Sequence, residues 1–486
     1  MQIDPQEQWR LLVGGDGVVT SDTYEVVDPG TTSVVGHAPE ATVADAEAAI
    51  AAANQALPGW RSTPMADRCA LLGRLSDILA ERSGDWASLV QAETGATMKI
   101  ARTLQLGGTF VDRFRYYARP RDLDVAEKPM SAGASALGPA GLIGAVVHRQ
   151  PVGVVACITP YNFPLVNVAG KIAPALAMGN TCIIKPAPQD PLGILRLGEA
   201  ITDAGFPPGV VNVLTSSGPE VPAALVASPG VNMVSFTGSS AIGAAIYANG
   251  AATMTRVLME LGGKGALVMT DDADVNAAVQ AIASVWGFHS GQICTAPTRV
   301  ICHTSLYDQL VSTLESVAGM LKVGDATLRD TLVGPLVSER QRDSVEEFIR
   351  GGVADGATLV CGGERPDLPG YFVAPTLLAD CTVDMHAVRE EAFGPVVVVL
   401  AHDGDDEAVA IANDSAYGLY SYVYAGDMAR AYRIARRLES GNVALNSIVP
   451  HPNAPFGGFK ESGIGRDRGI AGLEAYSEVQ AISWMA

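Results

Sequence analysis

Apolar residues recur at two spacings along this chain, and the spacings alternate. After a short strand-like start the helical period takes over. Residues 43–56 are Ala-rich and amphipathic, and 64–82 repeat apolar side chains at helical spacing through Leu71, Leu72, Leu75, Ile78 and Leu79. The pattern continues through 86–93 and 99–119, until Pro120 stops it. Between 122 and 150 the character changes. A Gly- and Ala-rich middle leads into Ile143-Gly144-Ala145-Val146-Val147-His148, which reads as a strand. Such an excursion is equally an arm reaching another subunit or a surface hairpin within one chain.

From Pro151 the two periods interleave. Residues 152–158 form a short apolar run, as in a strand buried on both faces. A helix over 165–178 follows and ends at Gly179-Asn180, and 181–185 reads as the next strand. Then come helix 193–204, strand 210–214, helix 221–227 and strand 233–236. A glycine-bounded turn, Thr237-Gly238-Ser239-Ser240-Ala241-Ile242-Gly243, opens another helix that leads to strand 256–260. Four β-α-β repeats with short connections predict a parallel sheet with helices on both faces. Ligands in such sheets bind at the carboxyl ends of the strands. A second α/β block follows, with helices over 275–286 and 305–321 and strands over 299–302, 396–400, 420–424 and 442–445.

The length of 486 residues suits two or three domains, and 48% hydrophobic against 17% charged residues suits a large α/β enzyme. The net charge of -19 argues against nucleic-acid or anionic-membrane partners, which need clustered Lys and Arg. Seven cysteines (Cys69, Cys157, Cys182, Cys294, Cys302, Cys361 and Cys381) are scattered without a Cys-x-x-Cys pair. Neither a disulfide framework nor a metal site is expected, and a reducing compartment fits. The polar, acidic start Met1-Gln2-Ile3-Asp4-Pro5-Gln6-Glu7 is unlike a signal or transit peptide. Residues 130–147 carry no charge but are interrupted by Gly, Ser and Pro, a poor membrane span. The expected location is the cytoplasm.

The candidate chemistry lies where the two blocks meet, a common position for active sites. Cys294 closes the run Gly291-Gln292-Ile293-Cys294, and Glu260 lies in Leu258-Met259-Glu260-Leu261-Gly262-Gly263-Lys264. A soft nucleophile and a carboxylate base, each beside glycine, suggest covalent catalysis through a thioester. Taken singly, each residue has a bland reading. Cys294 would be a buried thiol, Glu260 a solvated strand end, and Asn162 a turn residue before proline.

Several motifs stand in one order, and the order outweighs those single readings. They are Thr159-Pro160-Tyr161-Asn162-Phe163-Pro164, Lys185-Pro186-Ala187-Pro188, Phe236-Thr237-Gly238-Ser239 and Met259-Glu260-Leu261-Gly262-Gly263-Lys264. Gly291-Gln292-Ile293-Cys294, Glu391-Ala392-Phe393-Gly394-Pro395 and Pro455-Phe456-Gly457-Gly458-Phe459-Lys460-Glu461-Ser462-Gly463 follow. Together, from about Val26 to the C-terminus, they resemble the aldehyde dehydrogenase superfamily. The resemblance implies oxidation of an aldehyde to an acid with NAD or NADP. Cys294 would be the nucleophile, Asn162 and the Cys294 backbone N–H the oxyanion donors, and Glu260 the base that activates water against the thioester. Thr159, Lys185, Gly238, Ser239, Gly243, Leu261, Glu391 and Phe393 would hold the cofactor, with Phe393 equally readable as plain core. Lys171 and Asp467 would relay protons from Glu260, or else form surface salt bridges. His289 is given no dyad role with Cys294, and Cys302 is read as a core thiol.

The implied fold has three parts. They are a Rossmann-like cofactor domain (1–121 and 151–261), an α/β catalytic domain (262–468) and a small β oligomerisation arm (122–150 and 469–486). The arm implies a homodimer or homotetramer. Alternatives are acyl transfer to coenzyme A, which Glu260 disfavours, and a non-catalytic protein on the same scaffold. Three departures from the usual pattern stand out. Pro188 replaces a common Glu that would repel a 2′-phosphate, which implies that NADP is accepted. Gly170, with Asn167 one turn earlier, replaces a large aromatic, which implies a roomier entrance and benzaldehyde-like substrates unless Phe288 and Val449 refill it. Asp467 stands where Glu is frequent, which puts the relay in question.

Overall fold

The first sheet has eight strands, and its order sets the position of everything that follows. The structure is a computed structural model that describes residues 3–120, 123, 127–134 and 142–485. Its central strand is Val154–Ile158, all five residues buried. From there the chain steps to one side through Thr181–Lys185 and Val211–Val213, then returns to the other side through Met233–Thr237 and Arg256–Glu260. All these pairs are parallel. The direction of winding reverses between Val154–Ile158 and Met233–Thr237, and in open parallel sheets a crevice opens at that point. Thr159, Lys185, Gly238 and Glu260 stand at the carboxyl ends of four of these strands.

Two antiparallel additions close the sheet edges. Leu11–Val13 pairs with Val211–Val213, and Gly463–Ile464 pairs with Arg256–Glu260. The second pairing was not foreseen from the hydrophobic pattern, because two residues carry no periodicity. It brings residues 463–464, expected in the second block, back to the first sheet. The helices Val43–Ser62, Met65–Arg82, Pro164–Met178 and Leu192–Asp203 cover the sheet. Val43–Ser62 begins with a capping box between Thr42 and Asp45. The start of Leu192–Asp203 is held by Glu93, a fully buried carboxylate that accepts the Leu192 and Gly193 N–H groups at 2.8 Å each. The continuous helix expected over 99–119 is broken. Ala101–Gln105 forms a wider π turn, and the helix restarts at Gly108–Tyr117. Gly107 packs so tightly on the Thr103 carbonyl that any side chain there would collide with it.

The second sheet has seven strands, ordered Thr358–Cys361, Thr376–Ala379, Val396–His402, Arg299–His303, Ala266–Met269, Tyr420–Tyr424 and Asn442–Leu445. Only the Thr358–Cys361 edge is antiparallel. Ala266–Met269 was not anticipated: four buried residues after a glycine-rich turn are too few to show a period.

A third sheet pairs Ser477–Met485 with Leu142–Pro151 and that strand with Lys128–Ala134, all antiparallel. Residues 122, 124–126 and 135–141 of the expected arm, with most of its Gly- and Ala-rich middle, and residue 486 lie outside the described residues. The terminal strand starts at Ser477 rather than near Gly469. The intervening helix Gly469–Ala475 packs into the first core, where Leu473 and the following Tyr476 are fully buried.

Candidate active site

Cys294 is carried on a loop whose backbone is unusual. The helix Val275–Gly287 ends at Phe288, and His289, Ser290 and Gly291 then adopt left-handed φ values of 54°, 55° and 76°. For the two non-glycine residues this costs of order 1–2 kcal/mol each. Buried hydrogen bonds hold the turn. Ser290 Oγ donates to the Gly334 carbonyl at 2.7 Å. Gln292 accepts the Val337 N–H at 3.0 Å and donates to the His289 carbonyl at 3.1 Å. Gly291 leaves no room for a side chain, because a Cβ there would collide with the Gly394 carbonyl. The cysteine loop and the Glu391–Pro395 segment therefore meet backbone to backbone, and only glycine fits.

Asn162 joins the first sheet to this loop. Its buried side chain donates from Nδ2 to the Gln292 carbonyl at 2.9 Å, and its Oδ1 accepts from the Phe163 N–H at 3.0 Å. An amide nitrogen has two hydrogens, so one remains for another acceptor. The Cys294 N–H has no protein acceptor among the described residues. Gly262 and Gly263 thread between Cys294 and Glu391. A Cβ on Gly263 would collide with the Cys294 carbonyl, and the Gly263 N–H donates to Glu391 Oε1 at 3.0 Å. Ser462 fastens this strip: its Oγ donates to the Gly262 carbonyl at 2.7 Å and accepts the Gly418 N–H at 2.9 Å.

The thiol lies in an environment that resists ionisation. Burial pushes Cys294 up to about 12, with the Glu391 and Glu260 carboxylates adding to the shift and Arg468 opposing it. Glu260 is buried, and neither of its oxygens has a hydrogen-bond partner. Burial raises its pKa well above the ordinary value; Asp467 adds to this, while Lys171, Arg468 and Arg466 oppose it. Lys171 is only 1% exposed, so the surface salt-bridge reading of Lys171 is corrected. Its Nζ donates to Ser235 Oγ at 3.1 Å and lies 4.0 Å from Asp467 Oδ2. Ser235 Oγ also shares a 2.8 Å hydrogen bond with the Tyr476 hydroxyl. His289 is buried with both ring nitrogens unpartnered, and burial lowers it to about 4. It forms no dyad with Cys294. Cys302 is fully buried, as its core reading required.

The cofactor candidates gather where the first sheet reverses direction. Thr159 Oγ1 is buried without a partner. Ser239 caps the helix Ser240–Gly250, accepting the Ile242 N–H at 3.4 Å. Gly238 and Gly243 pack against the Phe236 ring and the Leu261 side chain so closely that no Cβ fits. The backbone of a helix start is thereby exposed at a strand end, the arrangement that binds phosphate groups. Lys185 Nζ donates to the Pro186 carbonyl at 2.7 Å and the Ser216 carbonyl at 3.1 Å. Burial lowers Lys185 to about 8, against the pull of Glu40 and Asp190. Glu40, which the sequence reading did not single out, accepts the Ser217 N–H at 2.9 Å. Burial raises Glu391 to about 7. Phe393 is left-handed at φ 47° and meets Tyr161 edge to face at 5.9 Å. It is half-buried, short of plain core. These residues fit a dinucleotide: an orphaned hydroxyl and a bare helix N-terminus stand at carboxyl ends of the first sheet, and the half-buried Glu391 carboxylate accepts from Gly263 just past the strand that ends at Glu260.

Two arginines were also missed: Arg468, which acts on the thiol, and Arg113, which acts on Arg468. Arg468 has φ 70° and ψ 154°, a region natural only to glycine. Paired hydrogen bonds between Phe456 and Asp467 at 2.8 and 2.7 Å hold the preceding residue, and the Gly472 N–H bonds to the Arg468 carbonyl at 2.8 Å. Its guanidinium lies 4.1 Å above the Phe456 ring. Arg113 donates from Nη1 to the Pro452 carbonyl at 3.0 Å. No motif signals either residue; only the assembled site shows that they are neighbours.

The family model for the aldehyde dehydrogenase family matches residues 18–482. A mitochondrial aldehyde dehydrogenase of Leishmania tarentolae is 40% identical over 479 residues, covering 98% of this chain and 94% of that protein. Phenylacetaldehyde dehydrogenase of Pseudomonas fluorescens is 37% identical, covering 97% and 95%. Among solved structures, a betaine aldehyde dehydrogenase of Staphylococcus aureus in complex with NAD+ superposes with a TM-score of 0.93 at 34% identity, covering 98% of this chain and 94% of that one.

Proposed function

This chain belongs to the aldehyde dehydrogenase family, and we propose that it oxidises an aldehyde to the carboxylic acid through a thioester on Cys294. The observation that carries this reading is the buried, unpartnered Glu260 carboxylate within electrostatic reach of the Cys294 thiol. The Cys294 thiolate adds to the aldehyde carbon. The oxygen becomes an alkoxide, accepting from the free Asn162 Nδ2 hydrogen and the Cys294 N–H. A nicotinamide cofactor supplies the hydride acceptor that turns this adduct into a thioester. Glu260 then takes a proton from water, the hydroxide breaks the C–S bond, and the acid leaves. A raised pKa makes Glu260 a stronger base towards that proton. Lys171 and Asp467 form the route by which the proton leaves Glu260.

Thr159, Lys185, Gly238, Ser239, Gly243, Leu261, Glu391 and Phe393 would hold NAD or NADP. Pro188 leaves room for a 2′-phosphate, whereas Glu40 near Lys185 supplies negative charge from another strand. Measurable kcat/KM with both cofactors is expected, and exclusive use of NAD would refute acceptance of NADP. The seven cysteines are free, which suits the cytoplasm. The open face at Gly170, where a Cβ would meet nothing within 4 Å, supports a funnel wide enough for aromatic aldehydes.

The test is NAD(P)H formation on an aldehyde panel. Cys294→Ala is expected to abolish it. Glu260→Gln is expected to leave one rapid turnover followed by a steady state slowed roughly a hundredfold or more. Activity surviving loss of the thiol would overturn the mechanism.

A further inference from the structure

We propose that the substrate aldehyde carries a second, anionic group, and that Arg468, with Arg113 beside it, binds that group while the aldehyde carbon meets Cys294. The inference rests on the aldehyde-oxidising reading and goes further, to the class of substrate. Three observations converge on it.

The first is what Arg468 lacks. Other arginines of this chain find acceptors for part of the fork: the buried Arg299 donates from its Nη atoms to the carbonyls of Ile411 and Ala412 at 3.0 and 2.7 Å, although its Nε has no partner. Arg430 donates to Asp405 and Asp271. Among the described residues Arg468 makes no hydrogen bond and no ion pair; its one recorded contact is the Phe456 ring. A guanidinium carries five N–H donors in a planar fork. Arg468 is partly exposed, so its fork is open to an acceptor that enters from solvent.

The second is where it lies. The Arg468 guanidinium is within electrostatic reach of Asp467, Glu260, Cys294 and Tyr420. It acts electrostatically on the proposed nucleophile and base, and among the described residues it pairs with neither carboxylate. Arg113 lies within reach of it, and only one Arg113 N–H is engaged, on the Pro452 carbonyl. Asp467 offsets part of the repulsion between the two guanidinium groups, and among the described residues it pairs with neither. A carboxylate matches the fork geometry and accepts two parallel hydrogen bonds. The Phe456 ring packs against the guanidinium, with its centroid 4.1 Å from Cζ.

The third is the backbone. Arg468 holds a conformation that glycine would adopt without strain, yet the position carries the largest of the cations. Two cross-bridging hydrogen bonds and the Gly472 N–H keep it there. Strain of this kind persists where the surroundings over-determine a position, often at functional sites.

The experiment compares paired aldehydes on the full-length enzyme with its cofactor: succinic semialdehyde against butanal, and 4-carboxybenzaldehyde against benzaldehyde. The wild type is expected to favour the carboxylated member of at least one pair by roughly tenfold to a hundredfold in kcat/KM, mainly through KM. In Arg468→Met and Arg468→Gly this ratio is expected to collapse towards one, with partial recovery in Arg468→Lys. The glycine variant relieves the backbone strain, so a fall in its ratio cannot be ascribed to misfolding. Equilibrium binding of terephthalate against benzoate gives a readout independent of turnover, with terephthalate tighter in the wild type alone. Equal or better activity on the neutral members overturns the proposal. So does an equal loss on both members in the variants, which would assign Arg468 to Glu260 or the thiol instead. Absence of turnover on every aldehyde, with terephthalate still favoured, would remove the oxidation reading and leave the anion site standing.

Discussion

At the scale of single residues the site is a set of ionisable groups that are buried, as Glu260 and Lys171 are, or half-buried, as Cys294 is. Cys294 and Glu260 are both held towards their neutral forms, for the same reason: burial disfavours charge, and carboxylates nearby reinforce it. In the enzyme without cofactor the thiolate is therefore scarce at neutral pH. A free thiol ionises near about 8.5, so its alkylation levels off above that pH. The alkylation rate of Cys294 by iodoacetamide is expected to keep rising, close to tenfold per pH unit, as pH climbs towards about 12. Peptide mapping after alkylation reads it, and a plateau near pH 9 would contradict the burial argument. Candidates for nucleophile and base were legible in the sequence because each stands close to glycine in a motif of strict order. The partners of Glu391 were not: Gly263 lies over a hundred residues away, and nothing local announces the hydrogen bond between them.

Elements decide how those residues meet. The helix Pro164–Met178 carries Asn167, Gly170 and Lys171, and its N-terminus follows directly from Asn162. At Gly170 a side chain would enter open space, with nothing within 4 Å of its Cβ. Gly170→Trp is expected to fold normally, because helix propensity rises by a few tenths of a kcal/mol. Its kcat/KM on benzaldehyde is expected to fall about tenfold relative to acetaldehyde. An unchanged ratio would show that this helix does not wall the entrance. The hydrophobic period marked the helix correctly, with its stop at Gly179. The period failed over 99–119, where packing at Gly107 overrode it, and at Gly463–Ile464, which is too short to have one.

On the scale of the whole molecule, two mainly parallel sheets carry the candidate site residues and a third sheet is antiparallel throughout. Its Ser477–Met485 strand is an edge that exposes Val479, Ile482, Trp484 and Met485. A long apolar edge in solution invites pairing with another chain. The opposite partner is available in the Asn442–Leu445 edge of the second sheet, half-buried throughout. We expect a dimer or tetramer, with the third sheet extending that edge. Ile482→Glu, placing a charge on the strand, is expected to shift the assembly towards monomer. Each apolar side chain so covered contributes roughly 1.5–3 kcal/mol. Sedimentation velocity checks it, and a wild-type monomer would remove the arm reading.

Alternating periods of hydrophobicity determined the two α/β blocks, because a period is a local property that residues a few positions apart must satisfy together. The run of motifs likewise determined the family and its candidate nucleophile, base and oxyanion donor. Tertiary structure alone decided which distant groups share a space. It placed Lys171 in the core, brought Glu40 beside Lys185, returned Gly463–Ile464 to the first sheet and left Arg468 unpartnered before Cys294. Those outcomes depend on how loops close and surfaces fit across hundreds of residues, and no spacing along the chain encodes them.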